Sequence, residues 1–291
     1  MRLLFKFNLI FALVFAAGLL GCGYLTRSLL QRNAQDEVLE NARLLMESSI
    51  AVRNYTSSQI KPLLETQMKY SFLPQSVPAY SATEVLHTLA KKYPEYGYKE
   101  ATLNPTNPRD RAVEWEADIV NRFRGTPEQT ELSGERDTPL GRMLYIARPI
   151  KISNPACLAC HSTVEAAPRP MLDKYGPANG FSWNLNEIVG AQVVSVPMAL
   201  PLARAEETFK VFMLSLGGLF LAIAVLLNLM LWLTVIRPVT RLSSLADRVS
   251  LGEMEAPEFA LGTGDEIGIL AASFSRMRRS LEQAMKMLDA V

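Results

Sequence analysis

Only three cysteines and two histidines occur in 291 residues. A structural zinc site draws four ligands from Cys, His or carboxylate. With Cys22 set inside an apolar run, a site of four cysteines, or of two cysteines and both histidines, is strongly disfavoured. Three cysteines also make no disulfide framework. Charge of one sign is lacking too: Lys+Arg total 30 against Asp+Glu 29, a net charge of +1, so there is no basic footprint for nucleic acid. No nucleophile-and-base constellation is visible, and the chain is not expected to be an enzyme.

What the chain does have begins with two long uncharged apolar runs, Phe7 to Thr26 and Val211 to Ile236, each bracketed by basic residues. Both are long enough to cross roughly 30 Å of hydrocarbon at 1.5 Å per residue. The first also reads as a secretory signal, and Leu19-Leu20-Gly21-Cys22 resembles a lipoprotein processing site that would make Cys22 a lipidated terminus. An uncleaved anchor is the favoured reading. Arg2 and Lys6 before the first run, and Arg237, Arg241 and Arg248 after the second, put both termini on the cytoplasmic side and residues 27–208 outside. The expected division is an anchor over 1–26, an extracytoplasmic domain over 27–208, a second span over 209–236 and a cytoplasmic segment over 237–291. The expected place is the inner membrane of a bacterium, in contact with lipid.

Between the spans lies Cys157-Leu158-Ala159-Cys160-His161. Two residues between the cysteines let both sulfurs reach the two vinyl groups of one porphyrin, and the histidine then falls under the iron. One covalent haem c is therefore expected, with His161 as an axial ligand. A thioredoxin-type dithiol remains an alternative, because a strand-like run precedes Cys157, but it leaves His161 without a role.

Residues 28–60 carry apolar positions at helical spacing and predict one long helix ending near Lys61-Pro62. Short helices are expected over 81–92, with His87, and from Asp110 to Phe123. Strands are expected over Tyr98–Leu103, Met143–Ile152 and Glu187–Met198, with an exposed loop from Gly125 to Asp137. The Pro- and Gly-rich stretch Ala166 to Gly180 is expected to wrap the cofactor edge. After Arg237, Leu242, Leu245 and Val249 begin an amphipathic helix. Gly252, Pro257, Gly262 and Gly264 mark a connector, and Ile267, Leu270, Phe274, Met277, Leu281, Ala284 and Leu288 follow a coiled-coil period. So narrow a seam needs a partner, and a parallel homodimer is expected.

Arg237-Pro238, the connector, Asp265-Glu266-Ile267-Gly268 and the heptad helix together resemble the HAMP signal-relay domain. The region between the spans resembles the DUF3365 family. The likeness rests on Arg53-Asn54-Tyr55, Tyr93-Pro94-Glu95-Tyr96, Asn104-Pro105-Thr106-Asn107-Pro108, Arg148-Pro149-Ile150, Cys157 to His161, Tyr175-Gly176 and Gly180-Phe181. It implies a PAS-like domain carrying haem c, and so an α+β PAS-like extracytoplasmic domain flanked by two transmembrane helices, followed by an all-α HAMP parallel coiled coil. A thiolate ligand from the first helix is known in that family, and no cysteine stands there in this chain. Met46 is the sulfur expected nearest to that role, with His87, Met171 or an open position as alternatives. Arg53, Arg109 and Arg111 are candidates for the haem propionates, and Tyr55 and Tyr175 for the pocket wall. The function these readings imply is a redox or gas sensor that signals through HAMP to a separate cytoplasmic protein. The alternatives are an anchored electron-transfer cytochrome and a haem-free binding module.

Overall fold

The computed structural model describes residues 3–253 and 264–288. Arg2, Pro257 and Gly262, used in the topology and connector readings, lie outside the described residues. The chain divides into two compact units, one of Leu25–Phe209 and one of Met1–Tyr24 with Lys210–Val291.

The Leu25–Phe209 unit is a mixed domain built on a four-stranded antiparallel sheet. Its strands are β1 (Gly97–Thr102), β2 (Leu132–Thr138), β3 (Gly141–Lys151) and β4 (Ile188–Pro197), in spatial order β1-β4-β3-β2. β4 is central and buried along nearly its whole length, so both of its alternating faces are apolar. Val194, Val196 and the following Met198 join Tyr98, Leu144 and Ile146 on one face. Ala191 and Val193 join Ala101 and Ala147 on the other.

Helices cover both faces. α1 (Leu3–Tyr55) presents Val38, Ala42 and Met46, one turn apart, to the first face, and α3 (Pro78–Ala90) adds Ala82 and Leu86. α4 (Glu114–Gly125) covers the second face with Ile119, Val120 and Phe123. Lys99 on β1 reaches Glu116 of α4 at 2.6 Å. On the opposite face α1 is tied to the sheet edge by alternating charges: Arg43 to Glu131 at 3.0 Å, and Arg148 to both Glu131 and Glu47.

Three elements differ from the sequence reading. β2 occupies part of the expected loop; it is an edge strand whose Ser133, Glu135 and Asp137 face water, so its polarity hid it. The first helix does not stop at Lys61-Pro62. One π-helical turn, Thr56–Ile60, carries the chain into α2 (Lys61–Met68), with the Lys61 N–H donating to the Thr56 carbonyl. Proline has no N–H to give to the preceding turn, and the widened turn lets the helix continue past it. The Ala166–Gly180 stretch contains a helix, and α5 (Leu158–His161) and α6 (Arg169–Tyr175) follow β3 in sequence.

The other unit contains two helices long and apolar enough to cross a membrane. α7 (Ala199–Leu231) contributes Phe220, which stacks on Phe15 of α1 at 4.9 Å. Asn228 exchanges two amide hydrogen bonds with Asn8, at 2.9 and 2.7 Å. A second π turn, Trp232–Ile236, again precedes a basic residue and a proline and leads into α8 (Arg237–Ser250). α9 (Glu266–Leu288) begins where the Asp265 carboxylate accepts from the Gly268 N–H at 2.8 Å. Leu242, Val249 and Ala271 are buried, whereas Leu270, Met277 and Leu281 of the heptad seam are exposed in the single chain.

Phe123 is fully buried between α4 and the sheet. Phe123→Ala is expected to cost about 3–5 kcal/mol, measured by chemical denaturation of the detergent-solubilised chain. An unchanged midpoint would contradict the packing described.

Candidate cofactor site

β3 ends at Lys151, and Asn154 caps a short turn by accepting from the Ala156 N–H at 2.9 Å, which leads directly into the two cysteines. Cys157 and Cys160 are free, half-buried thiols. Burial pushes the Cys160 thiol up, with Lys61 opposing, so Cys160 is a neutral thiol. It packs against a satellite cluster of Ala167, Met171 and Phe181, fringed by Phe72, Val164, Leu172 and Tyr175.

His161 is held from three sides. Its Nδ1 lies 2.7 Å from the Gly180 carbonyl oxygen, a contact in which the ring nitrogen donates. Its ring stacks on Trp183 at 4.0 Å, and the Thr106 hydroxyl lies 3.5 Å from Nδ1. Burial lowers its pKa and the Gly180 bond opposes this, so the ring is neutral near pH 7. With the proton on Nδ1, Nε2 keeps its lone pair. This is the arrangement by which a histidine is oriented for metal ligation.

The Gly180 carbonyl is itself fixed. Gly180 has φ +88°, and a Cβ there would collide with Thr106. Asn104 accepts from the Gly180 N–H at 3.2 Å and donates to the Phe181 carbonyl at 3.4 Å. Two backbone bonds, Ser182 N–H to the Ser162 carbonyl and Trp183 N–H to the His161 carbonyl, tie the segment to the motif. Gly180, Asn104, Thr106 and Trp183 were not read from the sequence as histidine supports. The signal available was the Asn104–Pro108 and Gly180-Phe181 pieces, which carried the family likeness without a stated role.

The other expected site residues fall in different places. Arg53 forms an ion pair with Glu100, which is buried to 5% exposure, and lies close enough to Cys157 for the two to interact electrostatically. Burial opposes the charge on Arg53, and the Glu100 carboxylate more than offsets this. Glu100 also accepts from the Tyr98 hydroxyl at 2.8 Å, and Gln192 donates to that hydroxyl at 3.0 Å. Arg109 pairs with Glu84 and lies over the Tyr80 ring. Arg111 donates to Asn179, and Tyr175 packs edge-on to Phe72. All three arginines are thus engaged by side chains of this unit. Tyr55 is 58% exposed, and Met46 lies in the core between α1, α3 and the sheet. Met171 is the candidate sulfur that shares a cluster with Cys160. His87 stands in the last turn of α3.

Residues 31–197 match the family model Tll0287-like. The chain belongs to the Tll0287-like family. In this Tll0287-like chain, residues 230–283 match the HAMP domain model, so a HAMP domain follows the family domain. A solved structure described as the crystal structure of the cyanobacterial heme-protein Tll0287 is 16% identical, covering 55% of this chain and 95% of that one at a TM-score of 0.44. No curated protein matches.

Asp110 gives a pH signature for this region. Burial raises its carboxyl pKa to about 6; the negative charge of Glu100 adds to this, and Arg109 and Lys99 oppose it. The folded state therefore binds this proton more tightly than the unfolded chain does. Stability from this group is present below the ordinary carboxylate pKa and is lost as pH rises to about 6. The loss is expected to be about 1–3 kcal/mol, allowing for partial exposure. Asp110→Asn is expected to flatten the stability profile over that interval in pH-dependent denaturation. A profile identical to wild type would contradict the assignment.

Proposed function

We propose that this protein is a membrane-bound c-type haem sensor that signals through its HAMP domain. The carrying observation is the pairing of two free thiols at CxxCH spacing with a neighbouring histidine whose Nδ1 is bonded to the Gly180 carbonyl, leaving Nε2 for a metal. In this reading Cys157 and Cys160 would hold the haem through two thioethers, each S–H adding to one vinyl group with no oxidant needed, and His161 Nε2 would ligate its iron.

The donor set fits the group. The thiols are unpaired, the histidine is neutral, and apolar Phe72, Met171 and Phe181 pack beside Cys160. The bound haem would supply an iron centre whose charge and axial coordination respond to redox state or to a diatomic gas. Arg53, within electrostatic reach of Cys157, would sense a change of charge at the site, and its pairing with Glu100 ties it to the sheet. Of the sulfurs considered for the sixth position, Met171 is favoured over Met46, because it packs in the cluster that contains Cys160. In this reading the two apolar helices span a bacterial inner membrane, with the family domain outside and HAMP in the cytoplasm. Two copies pair through HAMP, whose exposed Leu270, Met277 and Leu281 require cover. The output passes to a separate cytoplasmic protein, since signalling rather than catalysis is what a HAMP domain serves.

The test is expression with a haem c maturation system, followed by spectra of the oxidised and reduced protein with and without CO and NO. Covalent haem in the wild type, and its loss in Cys157→Ala/Cys160→Ala, are expected. Met171→Ala is expected to alter the axial-ligand bands where Met46→Ala does not. Haem-free wild type under conditions that mature a control cytochrome would overturn the reading.

A further inference from the structure

The long helix of the Leu25–Phe209 unit packs one side on the sheet and leaves a line of large exposed apolar side chains, interspersed with uncharged polar ones, on the other. Leu44, Tyr55, Leu63 and Tyr70 are 67%, 58%, 74% and 83% exposed, and Ala51 is exposed between the first two. At roughly 100° per residue, Leu44, Ala51 and Tyr55 fall within about 40° of one another on α1. In an unbroken α-helix Leu63 would stand roughly 100° away from Leu44. The π turn at Thr56–Ile60 absorbs one extra residue in its wider ring, and this returns Leu63 of α2, and Tyr70 just after it, to the line of Leu44 and Tyr55.

The stripe carries no charge. Between its apolar members stand Ser48, Gln59 and Thr66, all exposed. Of the charged residues of the same stretch, Arg53 pairs with Glu100 in the sheet and Glu47 with Arg148 at 2.6 Å, and Lys61, Glu65 and Lys69 stand more than about 100° from the line once the π turn is counted. A charge-free face can meet its own copy across a two-fold axis without like charges in opposition. Aligned large apolar side chains of this kind mark an interaction surface rather than scattered exposure.

We infer that the Leu44–Tyr70 face of α1, the π turn and α2 is a parallel interface with the same face of a second copy, and that the π turn sets its phase. The inference rests on the homodimer reading above and extends it into the Tll0287-like domain. It also assigns Tyr55 a place at the interface. Each residue meets its own counterpart, so the seam reads 44, 51, 55, 59, 63 and 70.

The test uses the full chain in membranes with Cys22→Ser as background and single substitutions to cysteine. Ala51→Cys, Gln59→Cys and Leu63→Cys are expected to form intermolecular disulfides at least fivefold more efficiently than Asn54→Cys and Glu65→Cys on the flanks. Tyr70→Cys is expected to exceed Lys69→Cys, the reverse of the order an unbroken α-helix would give. Met277→Cys in α9 reports pairing through HAMP. Cross-linking at Met277→Cys with none at 51, 59 and 63, or with equal yields on stripe and flank, would overturn the inference alone. Absence at Met277→Cys as well would overturn the dimer reading with it. Tyr55→Glu/Leu63→Glu changes only exposed side chains and is expected to lower the Ala51→Cys yield at least fivefold while the chain stays folded by circular dichroism; an undiminished yield would count against the interface.

Discussion

The ion pair between Arg53 and Glu100 joins the three parts on which the Leu25–Phe209 unit depends. Arg53 belongs to the last turn of α1, Glu100 to β1, and the guanidinium lies within electrostatic reach of Cys157. Removing one partner of such a buried pair typically costs about 3–5 kcal/mol, because the other charge is left uncompensated. Tyr98 and Gln192 extend the pair across the β1–β4 register, so the acid is anchored on more than one side. The last turn of α1 is therefore fixed against β1. The π turn follows within three residues, and Lys61, just beyond it, lies within electrostatic reach of Cys160. The same stretch of helix thus holds two cations within electrostatic reach of the thiols and, on its outer side, carries the proposed dimer seam.

This arrangement makes the proposed signalling route short. In the proposed route a change of charge at the site would act on Arg53, in the last turn of α1, which runs from Leu3 to Tyr55. Alternating charges from Glu40 through Arg43, Glu131 and Arg148 to Glu47 brace it against β3 and the residue before β2 on the same face of the sheet. Two such rigid bodies paired along one face can change register or rotation as units, which is the kind of two-state element that a HAMP domain relays.

Much of this was legible in the sequence because it is written in side-chain type and period. The two apolar runs, the two-faced strand β4 and the CxxCH spacing are all patterns of that sort. β2 was missed because an edge strand facing water carries Ser133, Glu135 and Asp137, the composition of a loop. The continuation past Pro62 was missed because proline usually ends a helix, and nothing in Thr56–Ile60 announces a widened turn. The support of His161 was missed for a different reason. Its decisive partner is a backbone carbonyl, and Gly180 is accommodated by its positive φ and the close approach of Thr106, with no side chain to read in the sequence. The sulfur expected from helical spacing, Met46, is on the sheet side of α1, a distinction that required the fold.

The central claim is that the two thiols carry a covalent haem. It is tested most directly by the intact mass of the denatured chain after expression with a haem c maturation system. The account predicts a single species heavier than the polypeptide by one haem, with the increment lost when Cys157 and Cys160 are both replaced by alanine. An unmodified mass for the wild-type chain, alongside a fully matured control cytochrome, would contradict it.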